Sequence, residues 1–233
     1  MNALSSSVGK KIVMGITGLL LCGFLIVHLA GNLLMYVGPE AYNGYAHALH
    51  SQEWFVKMAE TGLLVLFLTH LALAIRTTRQ NWGSRKNRYA MQTSKLETKP
   101  NGPGVPENWM FISGVVVLGF ILLHLSDFTF QIRLQGPPGE EPFDKAVRIL
   151  NNPVTSLVYI AGCLFLGAHL SHGFWSAFRS LGFSHPNYDF FIRTVSIIFA
   201  VIITFGFISF VLWAWGMDTS TIPAVNETLP PAH

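Results

Sequence analysis

The chain has 233 residues, 51% of them hydrophobic and only 12% charged, about half the charged share of an ordinary soluble domain. That balance, with a mean hydropathy of +0.43, excludes a disordered chain, a collagen-like chain and a disulfide scaffold. The net charge of +3 and a pI near 9.0 would suit a nucleic-acid partner in amount, but not in placement.

Five runs are each long and apolar enough to cross a bilayer, which takes about 20 residues. They are Ile12–Tyr36, Trp54–Ile75, Trp109–Phe130, Val154–Phe178 and Phe190–Trp215. The first has no charged residue. The second and third carry only Lys57, Glu60 and Asp127, all near one end. Trp54, Trp109, Trp213 and Trp215 stand at run ends, as in an aromatic belt. Gly15, Gly18, Gly23 and Gly31 in the first run permit close approach of a helix or a cofactor. That run follows Lys10 and Lys11, but it is too long for a cleaved leader and no small-x-small cleavage site precedes Tyr36, so it reads as a retained helix. The expectation is an all-α integral membrane protein, a five-helix bundle over residues 1–218 with a Pro- and Thr-containing tail over 219–233. Cys22 and Cys163 fall inside apolar runs and read as small buried hydrophobes.

Lysine and arginine set the orientation. Arg76, Arg79, Arg85, Lys86, Arg88, Lys95 and Lys99 crowd one connection, and Lys10, Lys11, Arg179 and Arg193 fall on the same side. Only Lys57, Arg133, Lys145 and Arg148 fall on the other, with most of the acids. The positive-inside rule puts the amino terminus in the cytoplasm and the carboxyl terminus outside. The basic Arg76–Lys99 segment is thereby a topology signal, and a face for a soluble partner or anionic lipid, rather than for nucleic acid. Gly102-Pro-Gly104 and Pro137-Pro-Gly139 mark irregular loops. The triplet at Asn226 is a chance match to a glycosylation signal. No internal repeat, phosphate-binding loop or Cys-x-x-Cys stands out.

The chemistry-bearing residues are histidines. His28, His70, His124 and His169 lie in four different runs, and His172 shares the fourth. An ionisable group in hydrocarbon is costly, so each is a functional candidate; the bland reading is a hydrogen-bonded core histidine. At a rise of about 1.5 Å per residue, His28 and His124 lie roughly 25 Å from the inner ends of their helices, while His70 and His169 lie only about 9 and 15 Å from theirs. Two imidazoles therefore sit high and two low, with the levels roughly 10–15 Å apart. A facing pair at one depth is what a six-coordinate haem iron requires, and two levels allow two stacked haems. Zinc needs all its ligands at one level, and a proton relay would include a mid-membrane carboxylate, which these runs lack.

On these residues the chain resembles the di-haem cytochrome b membrane anchor of succinate dehydrogenase and fumarate reductase, in its single-subunit, five-helix b558 form. The likeness runs from Ser7-Val-Gly-Lys-Lys11 into the fifth helix. It is strongest at Gly23-Phe-Leu-Ile-Val-His28-Leu-Ala-Gly-Asn32 and at His169-Leu-Ser-His-Gly173, which matches the His-x-x-x-Gly pattern of the family's fourth helix. The resemblance implies two haem b groups. His70 and His169 would hold the one nearer the cytoplasm, His28 and His124 the one nearer the outside. His169 rather than His172 would be the fourth-helix ligand, with His172 bonding a propionate or the neighbouring backbone. A flavoprotein subunit and an iron–sulfur subunit would dock on the cytoplasmic face of a bacterial inner membrane, and electrons would pass to or from menaquinone or another quinone. The chain itself would carry no dicarboxylate site. Some fumarate reductases of this type carry a glutamate two residues before the fourth-helix ligand, where this chain has Gly167.

Two further expectations concern the ends of the bundle. Arg76 and Arg179, one to three turns beyond the low ligands, suit either haem propionates or plain anchoring at the membrane surface. The outer connection Pro39–Trp54 holds Tyr42, Asn43, Tyr45, His47, His50, Gln52 and Glu53. A quinone site with His50 or Glu53 as proton partner and Tyr45 close by is expected there, with one helical turn aiming His50 and Glu53 at one pocket. The rival readings are a di-haem b subunit of another complex such as nitrate reductase, and a haem-free anchor or transporter.

Overall fold

The computed structural model describes residues 6–84, 109–183 and 185–217. All regular structure among them is helical: α1 (Ser7–Asn32), a 3-10 turn (Leu33–Tyr36), α2 (Pro39–His50), α3 (Glu53–Ser84), α4 (Trp109–Phe128), α5 (Pro142–Asn151), α6 (Pro153–Ser180) and α7 (Pro186–Trp215). Five of these are long and apolar enough to cross a membrane, namely Ser7–Tyr36, Glu53–Gln80, Trp109–Phe128, Pro153–Ser180 and Pro186–Trp215. Arg85 to Lys99, most of the basic connection, and the tail from 218 lie outside the described residues.

The helix boundaries follow local chemistry. The Ser6 side chain accepts from Gly9 N at 3.0 Å, and Asn152 accepts from Thr155 N at 3.0 Å, so α1 and α6 are capped. Proline opens α2, α5, α6 and α7, where its missing N–H costs nothing. Gly38 has φ +127°, a left-handed turn into Pro39 that disfavours any side chain. α3 runs past the apolar stretch through Arg76 and Arg79, because long basic side chains are good helix formers and reach back to the interface.

Two elements correct the picture of plain outer connections. α2 and α5 are helices that close one end of the bundle. α5 is the amphipathic one: Phe143, Ala146, Val147, Ile149 and Leu150 are buried, and Phe143 meets Trp213 of α7 at 6.0 Å. α2 and α5 are joined where Asn43 Oδ1 accepts from Phe143 N at 2.8 Å, and His47 Nε2 lies 2.8 Å from Glu141 Oε2.

In the bundle, α1 packs on α3, α6 and α7, and α6 on α1, α4 and α7. α1 and α4, and α3 and α6, pack less closely and face each other across it. Gly167 shows why α6 and α7 approach so near: a Cβ there would collide with Thr204 Oγ1. A glutamate at this position has no room. Gly167→Ala should cost about 1–3 kcal/mol by overpacking. A lowered thermal midpoint in detergent, restored by Thr204→Ala, is the expected result; an unchanged midpoint would contradict the contact.

Candidate metal centre

The high pair comes together. The His28 and His124 rings are 5.9 Å apart between centroids, with planes at 81°. Two imidazoles on opposite sides of one metal ion, each bonded at about 2 Å with its nitrogen about 1 Å from the ring centre, have centroids about 6 Å apart. The spacing of this pair therefore fits a single ion held between the two rings. Aromatic rings pack around both: Phe24 stacks on His28 at 5.3 Å with Phe207 at 5.5 Å, and Phe128 and Tyr159 flank His124 at 5.0 and 5.9 Å.

The low pair is held differently. Thr17 of α1 donates its hydroxyl proton to Met14 O at 3.0 Å, and its oxygen lies 3.2 Å from His70 Nδ1. Ser113 of α4 donates to Met110 O at 3.2 Å and lies 3.2 Å from His169 Nδ1. Each hydroxyl has spent its proton on a carbonyl, so it accepts from Nδ1–H. In the tautomer protonated at Nδ1 this leaves Nε2 of both imidazoles free to bind a metal, as such outer hydrogen bonds commonly do. His70 and His169 are near neighbours across the bundle. The next residue in each case is glycine, and the imidazole lies over it: a Cβ on Gly18 would stand 3.3 Å from His70 Cε1, and one on Gly114 3.4 Å from His169 Cε1.

α1 and α4 thus repeat one design. Met14, Ile16, Gly18, Gly23, Phe24, His28 and Leu29 recur as Met110, Ile112, Gly114, Gly119, Phe120, His124 and Leu125, with Thr17 matched by Ser113. This corrects the reading that the chain has no internal repeat. The repeat covers one helix and is hidden by interchangeable Leu, Val and Ile. In both helices the hydroxyl that meets a low histidine lies 11 residues before the high histidine, so the two levels are about 16 Å apart.

The remaining expected residues fall as follows. His172, half-buried, lies within charge-interaction range of Arg193 on α7, whereas His169 meets Ser113 on α4. Arg179 lies over the Trp175 ring at 4.7 Å with Arg193 on the same ring at 5.9 Å, and Trp175 Nε1 donates to Asp189 Oδ1 at 2.9 Å. Arg76 is exposed on α3. His50 and Glu53 do not share a helical turn. His50 ends α2 with Nδ1 2.8 Å from Ala46 O, and Glu53 starts α3, exposed and 3.6 Å from Lys57 Nζ. Tyr45 lies against Gly31 of α1. Tyr42 is the α2 residue that reaches toward a candidate ligand: it donates to Asn32 Oδ1 at 3.4 Å, and Asn32 Nδ2 donates to His28 O at 2.7 Å. Burial, then the neighbouring Tyr45, raises the Tyr42 hydroxyl above the ordinary tyrosine pKa, so it remains a donor.

Thr17 and Ser113 are absent from the sequence expectations, as are the link from Tyr42 through Asn32 to His28 and a buried group around Asp127, which lies one turn beyond His124. Among the described residues no three His, Cys, Asp or Glu side chains gather as a metal cage.

Fold and site together define a multi-pass helical membrane protein with paired histidines at two depths. The chain is similar to the succinate dehydrogenase cytochrome b558 subunit of Bacillus subtilis (strain 168), 28% identical over 158 residues, which is 66% of this chain and 69% of that protein. No protein-family model matches the chain. No solved structure matches it.

Proposed function

We propose that this chain is the cytochrome b membrane anchor of a succinate:quinone oxidoreductase, passing electrons between an iron–sulfur subunit and membrane quinone. The pairing of four histidines from four helices at two depths carries this reading, and the likeness to a succinate dehydrogenase cytochrome b558 subunit supports the choice of complex. His28 and His124 would hold one haem b, and His70 and His169 a second. A haem held by two imidazoles would supply one-electron exchange and not oxygen binding. Thr17 and Ser113 hold the low imidazoles with Nε2 free, and the aromatic rings around His28 and His124 keep water from the high pair. Arg76, Arg179 and His172 lie toward the cytoplasm and partner propionates of the low haem. The flavoprotein and iron–sulfur subunits dock on that cytoplasmic face, beside the basic segment and the anionic lipid of a bacterial inner membrane.

The test is purification of the tagged chain from its native membrane. Co-purification of a flavoprotein and an iron–sulfur protein, with a b-type reduced-minus-oxidised spectrum, supports the reading. Haem with a molybdenum-containing partner would favour a nitrate reductase subunit, and a preparation without haem would refute both.

In the same reading quinone reacts at the α2/α5 end beside the high pair. Tyr45 is a hydrogen-bond partner, and Glu53 or His50 accepts a proton when quinol is oxidised or gives one when quinone is reduced. Glu53→Gln or His50→Ala should lower succinate–quinone turnover at least about tenfold, with succinate–dye activity and both haems intact. Unchanged quinone kinetics in both variants would move the site elsewhere.

A further inference from the structure

Asp127 is completely buried at the end of α4, one turn beyond His124. A lone carboxylate there would be expensive, and this one is fully partnered. Arg133 grips both oxygens, Nε to Oδ1 at 2.8 Å and Nη2 to Oδ2 at 2.5 Å. Tyr159 of α6 donates to Oδ2 at 3.0 Å. The same Arg133 nitrogen donates to Thr155 Oγ1 at 3.1 Å, and Thr155 donates to Asn152, the cap of α6. Replacing a buried ion pair with apolar residues is often neutral or stabilising, so holding the fold is a poor reason for this one. Its position gives another. The Tyr159 ring that binds the carboxylate also packs on His124, 5.9 Å between centroids. In the α1 copy of the repeat the matching residue is Gly31, so the high pair has this charge on one side only.

We infer that Asp127 and Arg133 form a charge pair that sets the electron affinity of the iron held by His124, with Tyr159 as the positioning residue between carboxylate and imidazole. This rests on the haem reading above. Oxidised iron carries one more positive charge than reduced iron. The carboxylate therefore favours the oxidised state and the guanidinium the reduced state, and together they nearly cancel. Removing one partner unmasks the other. A unit charge about 10 Å from the iron, at an effective dielectric constant of about 20, changes the reduction equilibrium roughly tenfold. For a one-electron couple that is about 59 mV. Arg133 is partly open to solvent, with 34% of its side chain exposed, so water replaces part of its effect and Asp127 is the larger lever.

The experiment is an optical redox titration of the intact complex carrying Asp127→Asn, Arg133→Gln or both. Asp127→Asn should raise the midpoint of one haem, Arg133→Gln should lower the midpoint of the same haem, and the double variant should return it near the wild-type value. The other haem should not move. A structural brace would shift both single variants the same way, with haem loss or band broadening, and that result overturns the inference. So does an unmoved midpoint in either single variant. If Arg133→Gln cannot be isolated because it strands the buried Asp127 carboxylate, Asp127→Asn and the double variant still carry the sign test. A wild-type complex with no b-type band would overturn the haem reading, and this inference with it.

Discussion

Replacing His28 or His124 with alanine is expected to remove one of two b haems and leave the other in place. The two rings stand 5.9 Å apart, a span that fits one metal ion, and on the proposed reading each imidazole supplies one of the two protein ligands at that level. The low pair lies about 16 Å away and has its own anchors in Thr17 and Ser113, so it should not need the high pair to hold its metal. Haem per chain should fall to half the wild-type value, with one of two midpoints lost from the redox titration. Loss of both haems with the fold intact would show that the levels are not independent. Retention of both would remove His28 and His124 from the ligand set.

The second large effect separates two histidines one turn apart. His169→Ala should remove the low haem, whereas His172→Ala should leave two bis-histidine haems. Spacing on a helix could not decide between them, since residues three apart are neighbours. Their surroundings do: Nδ1 of His169 lies 3.2 Å from the Ser113 hydroxyl with the ring over Gly114, while His172 has Arg193 of α7 in its neighbourhood. A metal-bound imidazole commonly has its second nitrogen hydrogen-bonded, as Nδ1 of His169 is by Ser113. Low-spin bis-histidine spectra from both haems in His169→Ala would reverse the assignment.

Much of this was legible in the sequence because hydrocarbon imposes a single simple rule. A membrane-spanning segment must be apolar over its whole length, so the five spans could be placed within a few residues, and a histidine inside one is conspicuous. The α2/α5 end was less legible. α2 and α5 mix charged and apolar residues over 12 and 10 positions, too short to announce themselves against a long polar connection. The presence of α2 is also why His50 and Glu53 part: a helix ends between them, which spacing alone does not reveal. Thr17 and Ser113 could have been found from the repeat of α1 in α4, whose identical positions include both glycines and the histidine. Asp127 was visible as a charge near a run end, but its complete burial depends on Arg133 and Tyr159, which are brought to it by a loop and by a different helix. Contacts of that kind are set by tertiary packing and leave no local pattern.

The central claim is that four helices hold two haem irons by two imidazoles each. A pyridine haemochrome assay on the purified chain, with protein measured by amino-acid analysis, tests it most directly. The account predicts two haem b per chain; one haem per chain, or none, would contradict it.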